Sequence, residues 1–171
     1  MRVSILTTGG TIEKTYNEAD GNLRNDRSVL DEILQSLRLP DLFIRHVNVM
    51  HKDSLDLTDA DRREILEAVR SALQRSDAII ILHGTDTLSV TGELLHGELA
   101  QELDTPIILT GAMRPYEFRD SDALQNVTEA LLAARLVEPG VYVVMHNRVL
   151  RFPGVVKDRK SLTFRLVAGE P

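Results

Sequence analysis

Ala78-Ile79-Ile80-Ile81-Leu82 is an unbroken apolar run, and His83-Gly84-Thr85-Asp86-Thr87 follows it directly. Alternation of apolar and polar residues would mark a strand with one wet face. Here every side chain of the run is apolar, so both faces must be covered, as in a parallel sheet with helices on each side. The polar segment that ends the run then marks the carboxyl edge of that sheet.

Working outward, the same logic repeats. Leu88–Glu102 reads as a helix, Pro106–Leu109 as the next strand and Asp122–Leu136 as a further helix, with Leu124, Val127, Leu131 and Leu132 inward. Val141–Met145 is another strand, and Ser161–Val167 alternates weakly, as a final strand would. Upstream, Val3–Leu6 is the first strand and the polar turn Thr7–Gly10 follows it. Leu30, Ile33, Leu34 and Leu37 have helical spacing, closed by Pro40. Phe43–Val49 reads as a strand. Thr58 with Asp61 three residues on forms a capping-box variant ahead of Ile65, Leu66, Val69 and Leu73, which share one helix face.

The polar stretch Lys14–Arg27, with Tyr16 and Gly21, is the expected mobile loop. Repeated strand–helix–strand order implies an α/β fold. The expected form is an open, mostly parallel, doubly wound sheet with helices on both faces, Rossmann-like or flavodoxin-like, in a single domain over residues 1–171.

Composition narrows the function classes. The chain has 171 residues, 43% hydrophobic and 27% charged, a soluble globular balance. Its formal net charge of -6 and 4% aromatic content argue against nucleic acid, which calls for basic and stacking surfaces. Cysteine is absent, which excludes disulfides, thiolate catalysis and cysteine metal sites. The histidines at 46, 51, 83, 96 and 146 lack the i, i+4 spacing of a zinc site, so neither a metal nor a cofactor is expected. No apolar run approaches the ~20 residues of a membrane span. The start lacks a signal-peptide layout, so a cytoplasmic location is expected.

In open α/β sheets, ligands bind beyond the carboxyl ends of the strands. That rule gathers Thr7–Ile12, Lys52–Leu57, His83–Thr87 and Thr110–Arg114 on one edge. In Thr8-Gly9-Gly10-Thr11-Ile12, two glycines permit positive φ and close backbone approach. Their N–H groups are expected to face a developing oxyanion, with the Thr11 hydroxyl beside them as nucleophile. The alternative is a glycine turn with Thr11 capping the next segment. In the second segment, Thr85 suits proton relay and Asp86 suits an ammonium group; the alternative is a cap on the following helix. His83 reads as structural, fixing its turn by a hydrogen bond. Arg114 and Arg119 suit an anion, or Arg114 locks the turn before Pro115.

Together, Thr8–Ile12 and His83–Thr87 resemble the two signature segments of the bacterial-type L-asparaginase family. The resemblance extends through Asp53-Ser54-Leu55-Asp56, Thr110-Gly111-Ala112-Met113-Arg114-Pro115, Val144-Met145 and Lys157, and it is to the family's N-terminal domain. It implies an amidohydrolase that converts L-asparagine to L-aspartate and ammonia through a threonine acyl-enzyme, with L-glutamine as the alternative amide. Thr11 matches the nucleophile, and Thr85 with Lys157 the threonine–lysine pair. Asp86 matches the acid that holds the substrate α-ammonium, and Ser54 the hydroxyl for its α-carboxylate. Gly10 and Asp53 join the expected substrate-binding set. Tyr16 is the counterpart of the loop tyrosine that activates the nucleophile, at a short offset. Without the resemblance, Lys157 reads as one solvated cation of the cluster Lys157, Arg159 and Lys160. A nucleophile-free alternative is an amino-acid binding domain. The resemblance also implies a homo-oligomer, and a short form without the C-terminal domain that in relatives supplies an acid near the ammonium. Asp53, Asp56 and Glu117 lie in turns suited to replace that acid.

Overall fold

In the computed structural model, which describes residues 1–167, the strands in chain order are β1 (Arg2–Gly9), β2 (Thr15–Asn17), β3 (Asn22–Arg24), β4 (Phe43–Lys52) and β5 (Ala78–Leu82). They continue with β6 (Pro106–Thr110), β7 (Gly140–Met145), β8 (Arg148–Arg151), β9 (Val155–Asp158) and β10 (Thr163–Leu166). The α-helices are α1 (Leu30–Gln35), α2 (Asp59–Leu73), α3 (Leu88–Leu99) and α4 (Ala123–Ala133). Six strands form one sheet in the order β4-β1-β5-β6-β7-β8, and every pairing is parallel except β7 with β8.

The apolar run behaves as its composition requires. Every residue of β5, β6 and β7 is buried. Side chains alternate between two cores because successive strand residues point to opposite faces. Val3, Ile5, Ile80, Leu82, Ile108, Tyr142 and Val144 face one cluster, which α1 and α4 cover. Leu6, Ile79, Ile81, Ile107, Leu109, Val141 and Val143 face the other, which α2 and α3 cover. The doubly wound α/β arrangement is therefore as expected.

Local expectations fare unevenly. At the start of α2, the Thr58 hydroxyl accepts from the Asp61 N–H at 3.2 Å, and the Asp61 carboxylate accepts from the Thr58 N–H at 2.8 Å. That is the full capping box. Helix α1 ends earlier than its apolar spacing suggests. Ser36 turns its N–H and hydroxyl onto the Ile33 carbonyl, and Leu37 falls beyond the end. On α4 the inward face is Ala123, Asn126, Val127, Ala130, Leu131 and Ala133, while Leu124 and Leu132 are 40% and 59% exposed. Small alanines let this helix lie close to the sheet, and that choice of face turns Leu132 outward.

The stretch expected as a loop contains the β2–β3 hairpin, with Tyr16 opposite Leu23. The expected last strand is β10, which pairs with β9 rather than with the main sheet. This β9–β10 ribbon docks through Val155 and Phe164, with Phe152 just ahead of β9, into the core that also holds Leu88, Leu95 and Leu99 of α3. Gly92 of α3 receives the Phe152 ring: a Cβ built there would lie 2.0 Å from Phe152 Cζ. Alanine normally stabilises a helix interior relative to glycine. Gly92→Ala is expected to do the reverse, lowering stability by about 1–3 kcal/mol through overpacking. Urea unfolding of the variant measures it.

Candidate active site

Where β1 and β5 lie side by side, the chain departs to opposite flanks of the sheet. From β1 it goes to the edge strand β4, and it returns through α2 to β5 on the other side of β1. The carboxyl ends of β1 and β5 thus flank the topological switch point, where such folds leave a crevice. Thr7 of β1 pairs with Leu82 of β5, so the Gly9–Thr11 and His83–Asp86 turns emerge together.

Glycine is required at this junction. Gly10 has φ 83°, and a Cβ on it would lie 2.3 Å from Gly84 Cα. Gly9 has φ 97° and packs as closely against the Lys52 backbone, where the β1–β4 register shifts. Thr11 opens a single 3-10 turn, Thr11–Glu13, immediately after this contact. One sequence expectation changes here. The Gly10 N–H donates to the Lys52 carbonyl at 2.9 Å, and the Gly9 N–H donates to Glu13 Oε2 at 2.9 Å. Both glycine donors are engaged inside the protein, so they hold the turn rather than face a ligand.

The β5 turn is fixed by the imidazole that ends the strand. His83 is fully buried, its Nδ1 lies 2.8 Å from the Gly84 carbonyl, and its Nε2 lies 2.9 Å from the Thr91 hydroxyl. The carbonyl only accepts, so Nδ1 carries the proton and Nε2 accepts from Thr91. Burial pushes the His83 pKa down to about 4, so the ring is neutral. Thr85 and Asp86 then project from a rigid support.

Lys157 of β9 reaches both. Its Nζ donates to Thr85 Oγ1 at 2.8 Å and to Asp86 Oδ1 at 3.0 Å. The Lys157 side chain is mostly buried, not one solvated member of its basic cluster. Arg159 Nη1 adds a second cation at 3.2 Å from the same Asp86 oxygen.

Ser54 is buried and lies so close to Gly84 that a Cβ there would sit 2.6 Å from Ser54 Oγ. Its carbonyl accepts from the Thr87 hydroxyl at 2.7 Å. Asp53 accepts from Lys14 Nζ at 2.6 Å and from the Leu55 N–H at 3.1 Å. Partial burial raises its pKa, but these bonds and the charges of Lys14 and Lys157 outweigh it and hold Asp53 below the usual carboxylate range.

Tyr16 is 57% exposed on the β2–β3 hairpin, and its hydroxyl lies 3.8 Å from where a Cβ on Gly21 would be. Glu117 braces the hairpin by accepting from the Tyr16 N–H at 2.7 Å. Asp56 is exposed. Arg114 pairs with Asp120, and its N–H donates to Asp122, which favours its turn-locking reading.

Several contributors are not singled out by the sequence. Asp122 accepts from the Met113 N–H at 3.0 Å, from Asn126 Nδ2 at 2.9 Å and from His146 Nε2 at 2.7 Å. Asn126 also donates to the Gly111 carbonyl at 2.9 Å. This network fixes the turn after β6, which places Met113 Sδ 3.6 Å from Thr85 Oγ1. No sequence pattern announces it, because its members come from three separate elements. Among the described residues, no group of His, Cys, Asp or Glu side chains is arranged to hold a metal. No described helix is long and apolar enough to cross a membrane.

A doubly wound α/β sheet with two threonines, a carboxylate and a lysine at its switch point defines the class, and comparison narrows it. The family model "Asparaginase, N-terminal" matches residues 2–164. The chain belongs to the asparaginase family, over its N-terminal part. It is 33% identical over 153 residues to the L-asparaginase of Thermococcus kodakarensis, covering 88% of this chain and 45% of that protein. It is 31% identical to a glutamyl-tRNA(Gln) amidotransferase subunit of Methanococcus vannielii, covering 86% of this chain and 34% of that protein. The solved thermostable L-asparaginase of Thermococcus kodakarensis superposes with a TM-score of 0.85 at 30% identity, over 98% of this chain and 51% of the other. The chain thus spans about half the length, or less, of the relatives it matches.

Glu13 sets a pH dependence on this turn. It is fully buried, one oxygen holding the Gly9 N–H, and Oε1 has no partner. Desolvation raises its pKa to about 7, against smaller opposing contributions from the nearby Ser28 hydroxyl and the Gly9 N–H. A raised folded pKa favours the protonated form. The stability it contributes is complete below the unfolded value of about 4.5 and is lost as pH rises through about 7. Glu13→Gln cannot ionise, so its stability relative to the native protein should rise between pH 4.5 and 7, by on the order of 3 kcal/mol. Paired denaturation curves across that range test this; parallel curves would refute the buried ionisation.

Proposed function

We propose that this domain hydrolyses a small amide, with L-asparagine as the leading substrate, by threonine acyl transfer. The observation that carries the reading is the 2.8 Å hydrogen bond from the mostly buried Lys157 to Thr85, beside the glycine turn that presents Thr11. A threonine hydroxyl is a weak nucleophile until its proton is removed. Thr11 Oγ1 attacks the side-chain carbonyl carbon, the C–N bond breaks and the nitrogen leaves as ammonia once protonated. Water then adds to the acyl carbon and releases Thr11 with the free acid. Thr85 and Lys157 form the proton route. The Ser54 hydroxyl is assigned to the substrate α-carboxylate and Asp86 to its α-ammonium, with Asp53, held by Lys14, beside them. Because the Gly9 and Gly10 N–H groups are engaged, the oxyanion falls to donors beyond Gly10. Tyr16, on the hairpin that follows the Thr11 turn, is the residue assigned to activate the nucleophile.

A second reading has L-glutamine as the amide. It is favoured by the similarity to glutamyl-tRNA(Gln) amidotransferase subunits as well as to L-asparaginases. Ammonia release from the two amides at equal concentration separates these readings.

Thr11→Ala is expected to lower kcat by roughly 10³-fold or more, as loss of a nucleophile does. Lys157→Met is expected to lower it by about 10²–10⁴-fold, the range of a lost acid–base group. Both variants should keep the native circular dichroism. An unimpaired Thr11→Ala enzyme would refute the nucleophile assignment. Saturable L-aspartate binding without turnover would favour a binding domain instead.

A further inference from the structure

We infer that His146 is a positioning residue that sets the place of Lys157 against Thr85, by bridging the ribbon that carries the lysine to the turn beside the threonine. The inference rests on the amidase reading above, in which Lys157 and Thr85 form the proton route.

The backbone alone does not call for an imidazole here. His146 and Asn147 are the two residues joining β7 to β8, whose last pair is Met145 with Arg148. Their φ angles are 52° and 59°, both in the left-handed region. A two-residue turn of this kind favours Asn-Gly and similar pairs. Asn147 suits its place, and its N–H donates to Glu129 Oε2 at 2.8 Å. At position 146 the same φ costs backbone energy that glycine or asparagine bears best. The reason for histidine lies in its side chain.

The ring joins α4, the β7–β8 turn and β10. Burial raises the pKa of Asp122, which precedes α4, but the Met113 and Arg114 N–H groups and the His146 ring outweigh it and hold the carboxyl below its usual range. An ionised carboxylate only accepts, so His146 Nε2 donates to Asp122 Oδ2 at 2.7 Å. Nδ1 of the neutral ring then accepts from the Thr163 hydroxyl at 3.1 Å. The His146 N–H donates to Asn126 Oδ1 of α4 at 3.1 Å. Both the imidazole and the carboxylate are mostly buried, so water competes little for these bonds.

Both ends of the bridge lead to the site. At one end, Asp122 accepts from the Met113 and Arg114 N–H groups at 3.0 and 3.1 Å, and Met113 Sδ lies 3.6 Å from Thr85 Oγ1. At the other, Thr163 lies on β10, and the next residue, Phe164, pairs with Lys157 of β9. Lys157 Nζ closes the circuit on Thr85 at 2.8 Å. Burial of Val155 and Phe164 fixes the depth of the ribbon in the core, but the hydrophobic effect has no direction. Hydrogen bonds supply direction, and the one from Thr163 shares its imidazole with the carboxylate that holds the site turn. Arg148 ties the ribbon separately, Nη1 to the Phe164 carbonyl at 3.1 Å, so the ribbon stays attached when the imidazole is removed.

His146→Asn keeps a residue the turn accepts and removes the bridge. Thr163→Val removes its other end, a hydroxyl for a methyl. Ammonia release from L-asparagine and L-glutamine is measured for the native protein, each variant and the double variant, with a crystal structure of His146→Asn. Each single variant is expected to lower kcat by roughly 10–100-fold, the cost of moving a catalytic group by about 1 Å, with KM changed less than about twofold. The double variant should lose no more than the worse single one, because both changes break one bridge. In the crystal structure Lys157 Nζ should leave hydrogen-bond distance of Thr85 Oγ1 while the Thr11 and Thr85 turns stay in place.

Unchanged kcat, an undisplaced Lys157, losses that multiply in the double variant, or a loss carried by KM alone would overturn the inference. Should His146→Asn not fold, Thr163→Val carries the same comparison. A native protein inactive on both amides, with Lys157 displaced in the variant, would support the positioning role while refuting the amidase reading. The same inactivity with Lys157 in place would overturn both.

Discussion

Nothing larger than hydrogen fits on Gly10 facing Gly84: a methyl built on Gly10 would lie 2.3 Å from the Gly84 Cα. This contact between two backbones sits where β1 and β5 leave the sheet in different directions. It sets how near Thr11 stands to Thr85 and Asp86, because each is the next or second-next residue along its chain. Ser54 presses on Gly84 from the other side, within 2.6 Å of where a Cβ would be. Three segments thus converge on a point that has no side chain. The site is assembled by the absence of bulk, and the surrounding hydrogen bonds, Gly10 to Lys52 and His83 to Gly84, keep the gap from being filled by backbone movement.

Electrostatics divides the site into a quiet support and a charged rim. The support is neutral: His83 is held uncharged by burial, and Glu13 is raised toward neutrality beneath the glycine turn. The rim is charged and paired, Lys14 with Asp53 and Lys157 with Asp86. Unpaired buried charge would be costly, whereas a neutral support under a paired rim places strong fields only where a ligand arrives.

How much of this is legible in the sequence depends on the length of the signal. The run Ala78–Leu82 announces a doubly covered strand, and the doubly wound sheet follows from the strand–helix alternation around it. Thr58 and Asp61 announce a cap because both halves of the motif lie within one turn. Strands β8 and β9 are four residues each, and neither alternates cleanly, so periodicity has little to act on. The outward turn of Leu132 depends on which helix face the alanines let approach, a packing decision made by the whole layer. At the site, motifs and resemblance name Thr11, Ser54, Thr85, Asp86 and Lys157. They do not name Lys14, Asp122 or Asn126, since these residues act through partners on other elements, Asp53, His146 and the turn after β6, that share no pattern with them. Resemblance names Tyr16 as well, which stands exposed on the β2–β3 hairpin.

The ribbon that carries Lys157 belongs to neither edge of the main sheet. It is moored by Phe152 and Phe164 to the core beneath α3, with the Phe152 ring seated over Gly92. The crevice therefore has two foundations. One is the stiff parallel sheet that sets the turns after β1 and β5; the other is an appended ribbon that sets the reach of the lysine and of Arg159. Substitutions along the seam between them shift Lys157 against Thr85 and Asp86 without altering the turns that present the threonines, so packing beneath α3 governs the alignment of the proton route.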